Sequence, residues 1–97
     1  MTLLRWNPKR DSGERQLIAE LNSRGITTFP CSAPGLPDIW GIFRGRFLAI
    51  EIKSKRGKLT KRQRPFFRTC RNLVAPAYVI RSSEDIEMMM IDLLERG

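Results

Sequence analysis

The chain has 97 residues, enough for one small domain over 1–97 built around a single core. Eighteen Lys and Arg against ten Asp and Glu give a net charge of +8, and the composition, 41% hydrophobic and 29% charged, is that of a globular protein. The chain has no histidine, which excludes Ser-His-Asp triads, Cys-His pairs, His-ligated zinc and His-dependent nucleases, and leaves catalysis to carboxylates, Lys, Arg, Tyr, hydroxyls or a bound hard metal.

In chain order, Trp6 comes first and is suited either to stacking on a base or to covering a sheet edge. Asp11 with Glu14 three residues on has the pattern of a capping box. Leu17, Ile18 and Leu21 then recur at helical spacing, and Arg24-Gly25 closes the helix with a cation and a C′ glycine. Residues 26–32 read as a short strand, followed by a turn-rich loop over 33–37. Residues 38–43 and 46–53 are β-rich runs either side of Arg44-Gly45, a hairpin signal. Gly57 precedes a second helix, capped by Thr60 with Gln63 at N3, carrying Pro65 in its first turn and running to about Asn72. Residues 77–81 form a further strand, and Ser83 caps a last helix through Glu95 with Ile86, Met89, Met90, Leu93 and Leu94 as its buried stripe. The order α-β-β-β-α-β-α makes an α/β domain with a mixed sheet of about four strands flanked by helices.

Other features narrow the class. The N-terminal MTLLRWNPKR has no apolar stretch before a cleavage site, and runs such as Phe47–Ile50 and Met88–Ile91 are too short to span a bilayer, so no membrane role is expected. Cys31 and Cys70 lack metal-site spacing and read as free thiols, and the expected location is cytoplasmic. The charge is one-sided. From Lys53 to Arg71 there are nine basic residues and no acid, whereas Glu84 to Glu95 holds five acids and no base. Lys55, Arg56, Lys58, Lys61, Arg62, Arg64 and Arg68 are the candidate contacts to a phosphate backbone.

The second β-run carries the chemistry. In Phe47-Leu48-Ala49-Ile50-Glu51-Ile52-Lys53, alternation puts Glu51 and Lys53 on one face and Leu48, Ile50 and Ile52 on the other. If Arg44-Gly45 is a two-residue turn, Phe43 faces Arg46 and Asp38 faces Glu51; a bulge at Gly45 would shift the pairing by one. Two carboxylates roughly 5 Å apart repel, and a divalent cation between them turns that repulsion into a binding site. Glu14 lies on the same helical stripe as Leu17, Ile18 and Leu21 and supplies a third acid, although it also suits a plain capping role. Asp38 alone could be a turn residue after proline, and Glu51-Lys53 a strand-end ion pair.

Pro37-Asp38, twelve further residues, and Glu51-Ile52-Lys53 resemble the PD-(D/E)XK nuclease motif. The wider string is more specific: Pro34-Gly35-Leu36-Pro37-Asp38-Ile39, Phe47 through Ser54, Gly57-Lys58-Leu59-Thr60 with Gln63, and Val79-Ile80-Arg81-Ser82. It resembles the stand-alone VRR-NUC branch, the virus-type replication-repair nucleases of phages and bacteria, from Glu14 onward. The resemblance implies a restriction-endonuclease-like fold. It implies metal ligation by Glu14, Asp38, Glu51 and the Ile52 backbone carbonyl, and Lys53 at the attacking water as base or charge stabiliser. It also implies Gln63 as the residue that closes the site, a role that competes with its place in the capping box.

The expected activity is Mg²⁺-dependent hydrolysis of DNA phosphodiester bonds, with Mn²⁺ able to substitute and no small-molecule cofactor. The resemblance further implies a homodimer acting on branched DNA such as four-way junctions. Met88 and Ile91, apolar but outside the buried stripe, suggest a subunit contact, although scattered apolar residues are also normal on a protein surface. The alternative is a basic module that binds nucleic acid without cutting it. Three convergent carboxylates facing a phosphate argue against that alternative.

Overall fold

The structure, a computed structural model, describes residues 11–96. The readings of Trp6 and of the Asp11 side chain lie outside what is described. The elements are α1 (Asp11–Ser23), β1 (Thr27–Pro30), β2 (Ile39–Phe43), β3 (Arg46–Ile52), α2 (Arg64–Asn72), β4 (Ala77–Ile80) and α3 (Ser83–Glu95). They form one open mixed sheet in the order β1-β2-β3-β4, antiparallel through β3 and parallel between β3 and β4. A parallel pair needs a crossover, and α2 supplies it.

The two faces of β3 divide the molecule into layers. Leu48, Ile50 and Ile52 face a core with Ile39, Phe43, Ile80, Leu21 of α1 and Ile86, Met89, Met90 and Leu93 of α3. Gly41 sits in that layer, where an added β-carbon would come within 3.0 Å of Ile26 and 3.3 Å of Ile50. The opposite face carries Trp40, Ala49 and Glu51 and is covered by α2, with the Phe66 ring edge-on to Trp40 at 5.8 Å between centroids. Trp40 therefore packs against α2.

Local signals account for most boundaries. Gly25 has φ +88°, Ile26 N–H donates to Leu21 O, and Gly25 N–H donates to Asn22 O, the paired bonds of a Schellman stop. Arg44 and Gly45 have φ 51° and 79°, the type I′ geometry that matches strand twist, so the two-residue turn holds and Phe43 pairs with Arg46.

Several expectations change. β1 ends at Pro30 rather than residue 32: Cys31 N–H still reaches Asp38 O, but Asp38 N–H turns to Glu51 instead of returning the ladder bond, and β2 and β3 are each one residue shorter at the site end. The α2 helix is assigned from Arg64, because Pro65 has no N–H to return to the turn before it. Ser82, not Ser83, caps α3: its hydroxyl accepts the Asp85 N–H at 3.3 Å, while Ser83 donates to Glu20 Oε1 of α1 at 2.6 Å. Glu20 thus joins two helices, as does the Arg24–Glu87 ion pair. Leu94 leaves the buried stripe and is 54% exposed, because one helical step beyond buried Leu93 turns it outward beside Ile91. Cys31 and Cys70 are free, as expected. Among the described residues no helix is long and apolar enough to cross a membrane.

Candidate active site

Where the β2–β3 ladder runs out, a carboxylate takes over from the backbone. The register that pairs Ile39 with Ile50 would next pair Asp38 with Glu51. Instead, Asp38 N–H donates to Glu51 Oε1 at 2.9 Å. The loop that delivers Asp38 is closed at its base by Cys31 N–H donating to Asp38 O at 2.7 Å, and it packs through Gly35 (φ +84°) onto the Arg62 backbone. A β-carbon on Gly35 would come within 3.2 Å of the Arg62 carbonyl, so the close approach needs glycine as much as the dihedral does.

Glu51 is fully buried, the one charged side chain in that class among the described residues. Its second oxygen, Oε2, accepts from Gln63 Nε2 at 2.8 Å and from Lys53 Nζ at 3.2 Å. Lys53 shares its face because the strand period is two, and its side chain is itself largely buried. Burial pushes the Glu51 carboxyl above its ordinary range. The Asp38 carboxylate pushes the same way, partly offset by the Asp38 N–H and Lys53. The two acids repel each other across the strand end, and one of the Asp38 oxygens, Oδ2, is buried.

Gln63 performs both of the roles that compete in the sequence. Its side-chain oxygen accepts the Thr60 N–H at 2.9 Å, while the Thr60 hydroxyl accepts the Gln63 N–H at 3.2 Å. That reciprocal pair is the capping box. The other end of the same amide holds Glu51, so the turn before α2 and the floor of the site share one side chain.

Glu14 lies half-buried in the first turns of α1. The topology carries the start of that helix toward the sheet end where Asp38 and Lys53 lie, but in the core layer rather than the α2 layer. Among the described residues no group of three or more acidic or cysteine side chains is gathered closely enough to hold an ion, so Asp38 and Glu51 are the acids that the structure joins.

All seven basic candidates, Lys55, Arg56, Lys58, Lys61, Arg62, Arg64 and Arg68, are placed on the loop and helix that follow β3, and most are exposed. The motifs assign no role to Arg81. Its Nε and Nη2 both donate to the Gly57 carbonyl, at 3.0 and 2.7 Å, and tie the end of β4 to the basic loop that follows Lys53. Gly57 is tight against that loop, with an added β-carbon 3.2 Å from the Lys53 Cβ. The signal in the sequence is an arginine immediately after a strand that ends beside the site.

An open mixed sheet with helices on both faces in this order is a restriction-endonuclease-like fold. Comparison with solved structures finds a VRR_NUC domain with a TM-score of 0.68 and 20% identity, over 79% of this chain and 88% of that one. It also finds Hjc, a Holliday junction resolvase from the archaeal hyperthermophile Archaeoglobus fulgidus, with a TM-score of 0.53 and 27% identity. That match covers 72% of this chain but 61% of the resolvase. No family model matches the sequence, and no curated protein matches it. The chain thus shares its fold with a VRR_NUC domain, in line with the fold that the motif resemblance implies.

Proposed function

We propose that this chain is a metal-dependent endonuclease that hydrolyses DNA phosphodiester bonds, acting on branched DNA such as four-way junctions. One observation carries the reading: a fully buried glutamate at the end of a central strand, set against a second carboxylate and held by donors from three segments. Burying a charge this way is costly for the fold and is concentrated at functional sites. A module that only coated DNA would gain nothing from two acids aimed at a phosphate. The likeness to Hjc, a Holliday junction resolvase, supports branched DNA as the substrate.

The donor set suits a hard divalent cation. Mg²⁺ takes oxygen ligands and is commonly bound through one or two protein carboxylates together with substrate phosphate. Asp38, Glu51 and the Ile52 carbonyl would hold it, with Glu14 as the further ligand that the motif implies. When bound, Mg²⁺, or Mn²⁺ in its place, would polarise the phosphoryl oxygen and lower the pKa of a bound water. Lys53 points its ammonium at the same carboxylate, where it orients the attacking water or stabilises the negative charge that develops on the phosphoryl oxygens. Gln63 locks the plane of the Glu51 carboxylate, and Arg81 sets where the Lys55–Lys58 loop meets the backbone. The exposed basic residues bind phosphates on either side of the cut.

The test is cleavage of labelled linear, flap, fork and four-way substrates in Mg²⁺, Mn²⁺ or EDTA. The expected result is cutting in either metal, none in EDTA, and a preference for branched DNA. Lys53→Ala should abolish cutting and keep DNA affinity within a few-fold. Near-wild-type turnover by Lys53→Ala, or cutting in EDTA, would refute the reading.

A further inference from the structure

The β2–β3 hairpin projects a tip that the active site does not use. Arg44 occupies a left-handed position (φ 51°) that glycine, asparagine and aspartate adopt far more readily than arginine. A β-carbon on Gly45 would meet nothing within 4 Å, so the tip stands clear of the body. Arg44 is exposed, with its guanidinium 5.1 Å from the Phe43 ring centroid. Phe47 follows Arg46, on the same face of β3 as Ala49, Glu51 and Lys53, and is 68% exposed. Phe29 on β1 opens onto that face too, because α2 covers Trp40 and stops short of this corner.

The surroundings are cationic. Between Ile39 and Arg71 the one acidic residue is the buried Glu51. On α2, the exposed Arg64, Arg68 and Arg71 are spaced i, i+4, i+7 and so share a helix face. Phe47 lies four residues along the strand from Glu51, about 13 Å, and a nucleic-acid strand advances about 3.4 Å per phosphate, so the separation matches about four nucleotides. A second copy of the chain is a poor occupant of this corner, since a two-fold contact through it would bring the two Arg44-Arg46 tips together.

We propose that the hairpin tip, residues 44–47, is a second DNA contact about four nucleotides from the Glu51 site. Phe47 stacks on a base face exposed where a duplex opens or branches, while Arg44 and Arg46, which lie on the Phe43 side of the hairpin, neutralise phosphates of a strand that wraps around the tip. This rests on the nuclease reading. It extends the DNA-binding surface to the opposite end of the sheet from the cut.

The experiment uses labelled DNA forks with arms shorter and longer than this span. Binding is measured by fluorescence anisotropy in EDTA across a salt series, alongside cleavage in Mg²⁺. Arg44→Asn puts a residue suited to the turn at its tip, so its melting temperature should not fall. Combined with Arg46→Gln it should weaken binding to long-armed forks at least tenfold and reduce the salt slope by about 2. Phe47→Ser should weaken long-armed forks about fivefold and short-armed ones hardly at all, with the larger part of the effect in KM. A wild type that binds and cuts while all three changes leave affinity and slope unaltered overturns the tip contact and leaves the nuclease reading intact. A change in sedimentation with no change in affinity overturns it in favour of a subunit interface. A wild type that binds no DNA overturns both.

Discussion

At the scale of single residues, the site is a balance between two like charges and the donors that hold them. Glu51 is protonated more readily in the fold than in the unfolded chain, through burial first and Asp38 second. A carboxyl with a raised native pKa contributes stability while protonated, and that contribution is lost as pH rises through the native value. At neutral pH without a divalent cation, the pair therefore destabilises the fold. Asp38→Asn keeps the backbone N–H on Glu51 and removes the repulsion. We expect it to raise the melting temperature at pH 7 in EDTA by about 4 °C or more for each kcal/mol relieved. The difference should shrink in acid, where Glu51 is neutral. Mg²⁺ should then stabilise the wild type and not the variant. A variant that melts lower at pH 7 would mean that the Asp38 carboxylate is there for structure. Gln63→Ala removes a cap and leaves a buried Glu51 oxygen short of a donor. The two effects together should lower stability by about 2–4 kcal/mol in denaturant titration, and cleavage should fail as well. A decrease well under 1 kcal/mol would show that one of the two bonds is not made in solution.

At the scale of elements, β4 and α3 are joined by a polar link that can be followed optically. Tyr78, the chain's one tyrosine, donates to Asp92 Oδ2 at 2.6 Å, and Arg96 Nε donates to the same oxygen at 2.8 Å. Burial, and then the Asp92 hydrogen bond, push the Tyr78 phenol up to about 12. The unfolded phenol titrates near about 10, so the stability this link contributes is complete below that pH and is lost as pH rises toward the native value. Tyrosinate absorbance should therefore report one step near pH 12 while the fold holds. Asp92→Asn should move that step downward but leave it above the free phenol, because burial remains. A wild-type step at the free-tyrosine value would mean that the link is open in solution. The same carboxylate is held below its ordinary range by Tyr78 and Arg96, so its own contribution is present at neutral pH and fails in acid.

At the scale of the whole molecule, a body 36 × 31 × 28 Å carries nine of the chain's eighteen basic residues in the run from Lys53 to Arg71 and five of its ten acids on α3. Counterion release predicts that replacing Lys61, Arg62 and Arg68 with Ala lowers the slope of log affinity against log salt by about 1 for each phosphate no longer neutralised. An unchanged slope would put DNA on another face. On α3, Met88 and Ile91 are 65% and 49% exposed, and Leu94 extends the apolar surface. If this surface joins two copies, each dimer presents two sites related by a two-fold axis, matching the symmetry of a four-way junction. Sedimentation of the wild type at micromolar concentration should then show a dimer, and Met88→Glu with Ile91→Glu should show a monomer. A monomeric wild type would leave a nuclease that cuts one strand at a time.

The order of the elements, the face shared by Glu51 and Lys53, and the pairing that brings Asp38 to Glu51 are all legible along the chain. They depend on short-range rules: a period of two along a strand, and a two-residue turn whose hand matches the sheet. What crosses between elements is settled by the packed fold. Gln63 reaches Glu51 because α2 docks on the site face, and Arg81 reaches Gly57 because β4 lies parallel beside β3. Ser82 takes the cap because Ser83 is drawn to Glu20 on another helix. Each of those outcomes turns on the position of a partner distant in the chain, and no spacing within a single element encodes where that partner will be.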